Sequence, residues 1–218
     1  MSKAHPLELL IGTHNPGKVR EIENSLAGLP LKLRYLREFP LLAPVDESGL
    51  TYEQNATIKA QAYSNETGLL ALADDSGLEV DALRGAPGLR SARYAGAEAS
   101  DEDRIKLLLD ELARIQSENR SARFRCVVVI ANPQLMTVVE GRCEGRVSYA
   151  PRGGNGFGFD PIFIPQGFEF PQGFESTFAE LSSEVKNRIS HRAQALASAR
   201  EFLSDWLANT DVASSDTH

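Results

Sequence analysis

The sequence predicts an α/β fold in which a mixed β-sheet is flanked by helices. Short apolar runs and two-residue alternation, the marks of strands, are interleaved with segments of helical periodicity, so strands covered by helices are expected. Two long strand-like runs also sit side by side in mid-chain, joined by a turn too short to hold a helix. That pair must be antiparallel, which makes the sheet mixed. With 218 residues, 42% hydrophobic and 24% charged, the chain has an ordinary globular balance and enough length for a sizeable core.

Residues 7–12 form a short apolar run that ends in a Gly- and Pro-containing loop, and residues 18–29 then place Val19, Ile22 and Leu26 at helical spacing. This reads as strand, loop, helix. Residues 31–36 alternate as a half-buried strand would, and residues 51–67 are Ala-rich and free of proline, as suits a helix. Residues 69–73 are a compact buried strand that runs into Asp74-Asp75-Ser76-Gly77, read as a polar turn. Residues 82–96 carry Gly and Pro every few positions and read as a loop. Ser100 and Asp103 form a capping-box pattern ahead of the stripe Ile105, Leu108, Leu109, Leu112 and Ile115, so a helix follows. Residues 124–132 and 135–146 are the two long strands, joined at Asn132-Pro133-Gln134, and residues 149–160 are a Gly-rich loop.

Pro-Gln-Gly-Phe-Glu at 165–169 recurs at 171–175, a small tandem duplication that lengthens a surface loop at little cost. Residues 185–207 are helical, with Ile189, Leu196, Leu203 and Leu207 on the apolar side. One domain is expected over residues 1–208, with a disordered polar tail over 209–218.

No apolar run approaches the roughly 20 residues of a membrane span, and the first residues lack a secretory stretch. Two cysteines, Cys126 and Cys143, are too few for a disulfide framework, so a cytoplasmic setting is expected. The net charge of −7 argues against duplex nucleic acid as a partner. A small anion remains possible if a local cationic pocket or a divalent metal offsets the general field.

Four motifs carry chemistry. Gly12-Thr13-His14-Asn15-Pro16-Gly17-Lys18-Val19 has the spacing of a phosphate-binding P-loop but places Val19 where a hydroxyl should hold magnesium. A glycine turn, a lysine and a helix N-terminus still make a phosphate cradle. Asp74-Asp75 places adjacent carboxylates beside a buried strand, which requires a cation or solvent to neutralise them. Strand alternation lets only one face a given site. Asp46-Glu47 is a second acidic cluster, and magnesium needs few protein carboxylates beside phosphates and waters. Residues 153–161 interleave glycines with Phe157 and Phe159, so backbone amides can approach a ligand while a ring stacks on it. In residues 186–192, Lys186, His191 and Arg192 diverge on one straight helix, but a break with Ser190 as N-cap lets them converge.

Taken in order, residues 13–18, Asp74-Asp75-Ser76-Gly77-Leu78, Gly85-Ala86-Pro87-Gly88 with Ser91-Ala92-Arg93-Tyr94, residues 157–161 and Ser190-His191-Arg192 closely resemble the inosine triphosphate pyrophosphatase family, also called XTP/dITP diphosphatases. The resemblance implies an elongated mixed sheet with two lobes, a nucleotide cleft between them, Mg2+ as cofactor and a homodimer. The implied reaction is hydrolysis of ITP, dITP and XTP to the monophosphate and pyrophosphate. By position, Thr13, His14, Asn15, Pro16, Gly17 and Lys18 would bind phosphates, and Lys59 would assist them. Asp75 would be proton acceptor or metal ligand, with Glu47 as its metal-binding companion (Asp46 being the alternative) and Ser76 beside the substrate. Phe157, Gly158, Phe159 and Asp160 would frame the base, Lys186 would reach nucleotide oxygens, and His191 and Arg192 would contact the purine. The competing readings are a degenerate P-loop NTPase releasing orthophosphate and a nucleotide sensor without catalysis.

Overall fold

The computed structural model describes residues 6–168 and 175–215, the side chains of 210–215 excepted. Six strands form one mixed sheet in the order β2-β1-β3-β4-β5-β6. β1 (Leu7–Ile11) lies parallel to both β2 (Leu31–Tyr35) and β3 (Leu70–Val80). β4 (Ser121–Asn132), β5 (Leu135–Val147) and β6 (Phe163–Pro165) continue antiparallel from β3. The turn between β4 and β5 is fixed by Asn132, whose Oδ1 accepts from Gln134 N and Leu135 N.

Both faces of the sheet are covered. α1 (Pro16–Leu26) and α5 (His191–Ser215) pack Ile22, Leu26, Leu196 and Leu203 against Leu9, Leu72, Val128 and Ile130. α2 (Tyr52–Thr67) lays Tyr52, Ala56 and Ala60 on the opposite face, against Ala73, Val127 and Val129. A further apolar body sits farther along the long strands. There α3 (Asp101–Arg114) brings Ile105, Leu108 and Leu112 to Leu78, Phe124, Phe163 and Phe178. The capping box at its start is formed as expected, with Ser100 Oγ accepting from Asp103 N.

Several boundaries differ from the sequence reading. β3 does not stop at Ala73: Asp74, Asp75 and Ser76 pair with Val128, Val127 and Cys126 of β4, so the expected polar turn is strand interior. The charges do not end the strand because side chains from other elements satisfy them. Gly77 pairs with Arg125 within the strand, and the position must be glycine because a Cβ there would meet Gly88 O at 2.3 Å. α1 begins at Pro16, which needs no N–H at a helix start, and ends at Leu26. Two 3-10 helices occupy the region read as the 82–96 loop, a single turn at Asp81–Leu83 and a longer one at Gly88–Arg93. α4 (Ser183–Ile189) and α5 are separate helices broken at Ser190, as the divergent cations required. α5 runs to Ser215, so the expected tail begins inside a helix. The three-residue β6 has no reading in the sequence. The duplicated segment falls largely on residues 169–174, outside the described residues. No described helix is long and apolar enough to cross a membrane.

Candidate active site

The site forms where β1 ends and β3 continues. Pairing of β1 with β3 reaches Ile11 opposite Leu72, and Gly12 N donates to Leu72 O at 2.7 Å before the chain leaves the sheet for α1. Beyond that point, among the described residues, β3 has only an isolated bridge of Glu79 with Pro87 on its β1 side, and Lys18 of α1 reaches Asp74. Ligands of open α/β sheets gather beyond the carboxyl ends of strands in this way.

Alternation then divides the acidic pair between the two faces. Asp74 and Ser76 turn toward α1 and α5: Asp74 Oδ2 lies 2.9 Å from Lys18 Nζ and 3.2 Å from Arg192 Nε, and Ser76 Oγ accepts from Arg192 Nη2 at 2.7 Å. Asp75 turns toward α2, where its Oδ2 accepts from Asn55 Nδ2 at 2.9 Å, while its Oδ1 accepts from Ser76 N at 2.8 Å. The environments shift the two acids oppositely. Burial opposes ionisation of Asp74, but the Lys18 and Arg192 charges outweigh it and hold the carboxyl below the usual range. Burial raises the pKa of Asp75 despite Lys59 and Asn55. Asp74 is thus a fixed anion, and Asp75 is the one with enhanced proton affinity.

A chain of alternating charges crosses the site: Lys18, Asp74, Arg192, Glu21, Lys186, Asp160. Glu21 of α1 accepts from Arg192 Nη1 at 2.6 Å and lies 2.9 Å from Lys186 Nζ, which reaches Asp160 Oδ2 at 2.6 Å. Each buried charge has an opposite partner, the condition for keeping ions out of water. The Ser190 break makes this possible, with Ser190 Oγ accepting from Ala193 N and the chain direction reset between Lys186 and Arg192.

Phe157 lies over Gly17 at the start of α1, where a Cβ would come within 2.5 Å of the ring. Lys186 Nζ lies 4.7 Å from the Phe157 centroid. Phe159 is buried edge-on to Tyr94, so only Phe157 of the two rings is free to meet a flat ligand. His191 stacks on Phe124 with centroids 4.5 Å apart and its Nδ1 unpartnered. Burial, together with the Arg192 and Lys186 charges, holds its pKa well below the usual 6.5, so it is neutral. Gly158 N donates to Asp101 of α3 at 2.6 Å, and Asp101 pairs with Arg104.

One cleft of about 770 Å³, counted to its open mouth, gathers most of the residues named from the sequence. Asn15, Lys18, Glu47, Asp75 and Ser76 line it together with residues 157–160, Lys186, His191 and Arg192, and Lys18 and Arg192 converge on the same Asp74 oxygen. Asn15 spends its Oδ1 capping α1, accepting from Gly17 N and Lys18 N. Thr13, His14, Pro16 and Lys59 are not in the lining, and Gly17 lies beneath Phe157. Lys59 Nζ instead donates to Glu47 Oε1 and Asp74 O, both at 2.6 Å. The sequence reading missed Glu21, Asn55, Asp101, Arg104 and Phe124. Asn55 and Lys59, four apart on an Ala-rich helix, left a legible signal; Glu21 left none. Among the described residues no group of three or more His, Cys, Asp or Glu side chains is set to hold a metal ion.

The Ham1 family model matches residues 9–202. The dITP/XTP pyrophosphatase of Bacillus licheniformis is 47% identical over 190 residues, which are 87% of this chain and 94% of that protein. The dITP/XTP pyrophosphatase of Geobacter sulfurreducens is 46% identical over 196 residues, 89% of this chain and 96% of that one. Among solved structures, the HAM1 protein from Coxiella burnetii superposes with a TM-score of 0.81 at 40% identity, covering 91% of this chain and 99% of that one.

Proposed function

The chain belongs to the Ham1 family, and from that premise we propose that it hydrolyses dITP, ITP and XTP to the nucleoside monophosphate and pyrophosphate, clearing deaminated purines from the nucleotide pool. The observation that carries the reading is one cleft lined by Lys18 and Asp75 together with Phe157, Lys186 and Arg192. The cations and carboxylate suit a metal-bound phosphate chain, and the Phe157 ring suits a base.

Water adds to the α-phosphorus as the bond to the bridging oxygen breaks, and pyrophosphate leaves. Asp75 accepts the proton of that water or ligates the metal, and its place in the cleft lining suits either role. Lys18, pinned by Asp74, neutralises phosphate charge. We assign Mg2+ as the cofactor, held by Asp75 and Glu47. Both are hard oxygen donors in the lining of one cleft, which fits such an ion. When bound, the ion neutralises the triphosphate and polarises phosphoryl oxygens.

A 6-keto purine offers an acceptor where adenine offers a donor. Arg192 gives one N–H each to Asp74, Glu21 and Ser76, which leaves two of its five donors for a keto oxygen. We also read the chain as a cytoplasmic homodimer, a setting that its free, buried cysteines support. Against a P-loop reading stands Val19, which packs into the core beside α5 and offers no metal ligand. The test is kcat/KM across dITP, ITP, XTP, GTP and ATP: the first three should exceed ATP by at least about 100-fold, and a flat profile contradicts the reading.

A further inference from the structure

Asn55 lies in the first turns of α2 and is fully buried, and neither end of its amide is free. Its Nδ2 donates to Asp75 Oδ2 at 2.9 Å and its Oδ1 accepts from Gly49 N at 2.8 Å. An N–H on one side and a carboxylate on the other permit only one amide orientation. One helical turn on, Lys59 repeats the pattern, donating to Glu47 of the same loop and to the Asp74 carbonyl of the same strand. Gln54 adds a further tie, accepting from Leu50 N at 2.7 Å. The loop that carries Glu47 has no regular secondary structure of its own. These ties from α2 hold it, and Gly49 seats so closely that a Cβ would lie 2.7 Å from Asn55 Oδ1 and from Gln54 Cβ.

We propose that Asn55 is a positioning residue, a strut that sets the Glu47 loop and Asp75 at one fixed separation so that both carboxylates address the same bound cation and phosphate chain. It touches neither the substrate nor the reacting atoms and acts through Asp75 and Gly49. The inference rests on the pyrophosphatase reading above. It follows from helix geometry: residues four apart share a face, so Asn55 and Lys59 form two rungs between one strand and one loop. Partners behind metal-binding and catalytic carboxylates orient them, and misplacement of a reacting group by about 1 Å costs up to about 100-fold.

The experiment compares wild-type protein with Asn55→Leu, which keeps the branched shape and removes both hydrogen bonds, and Gly49→Ala, which wedges the loop away and leaves the Asn55 to Asp75 bond in place. Three quantities are read: steady-state dITP kinetics, Mn2+ binding by electron paramagnetic resonance with the α,β-methylene analogue of dITP present, and Tm. The strut predicts kcat lower by about 10–100-fold in both variants, KM for dITP within about threefold, and Mn2+ half-saturation raised by about tenfold. A merely structural role predicts a lower Tm with kcat and Mn2+ binding unchanged in the folded protein, and that result overturns the proposal. If Asn55→Leu does not fold, Gly49→Ala decides alone. Wild-type protein without dITP turnover sinks the underlying reading, whereas wild-type turnover with unaltered variants sinks only the strut.

Discussion

Neighbouring carboxylates in a buried strand do opposite work here because alternation hands them to different partners. Asp74 meets Lys18 and Arg192 and stays charged, while Asp75 meets one amide and keeps a raised pKa. Asp75→Asn should therefore fold normally and lose at least about 100-fold in turnover; near-normal turnover in steady-state assays would remove it from the chemistry. Arg192→Ala should act differently, because it removes one of the two cationic partners of buried Asp74 and of half-buried Glu21, which keep Lys18 and Lys186. A loss of about 1.5–3 kcal/mol is expected in urea unfolding, and an unchanged midpoint would show that the charge chain is not structural. That one acid of the pair faces the site was legible from strand periodicity. Which one was not, because that depends on partners 56 and 118 positions away, Lys18 and Arg192 for Asp74.

Each functional element is defined by where it stops. α5 starts at His191 because Ser190 caps it, and its first turn sits directly on β5: a Cβ at Gly141 would lie 2.1 Å from His191 O and 2.6 Å from Ala195 N. Gly141→Ala should push this turn off the sheet, at a cost of about 1–3 kcal/mol, and lower kcat/KM for dITP by displacing Arg192; calorimetry and kinetics unaffected by the change would refute that contact. The helix break could be read in the sequence because Lys186, His191 and Arg192 cannot converge on a straight helix. The length of β3 could not, because local polarity ends a strand in a sequence whereas ion pairs from distant elements sustain it in the fold. β6 escaped for a related reason: three residues carry too little pattern, and pairing with β5 makes it a strand.

At the scale of the whole molecule the sheet is a frame whose two faces feed one cleft: α2 ties down the Glu47 loop and Asp75, and α1, α4 and α5 bring Lys18, Lys186 and Arg192. The mixed character of this sheet was visible in one mid-chain hairpin, but the strand order was not, since β3 pairs with β1 across an intervening β2 and α2. The same burial that builds the cleft makes stability depend on pH. His191 is neutral in the fold and ordinary when unfolded, so below pH about 6.5 only the unfolded chain gains its proton. Stability should then fall with pH by up to about 1.4 kcal/mol per unit from this residue, and above that pH the contribution is flat. His191→Phe keeps the stack on Phe124 and should flatten the slope of urea stability between pH 5.5 and 7; an equal slope in both proteins contradicts the burial account. The central claim concerns which phosphorus is attacked. Hydrolysis of dITP in 18O-water with magnesium, followed by mass spectrometry of both products, tests it most directly. The account predicts dIMP carrying the label and unlabelled pyrophosphate, whereas dIDP with labelled orthophosphate would contradict it.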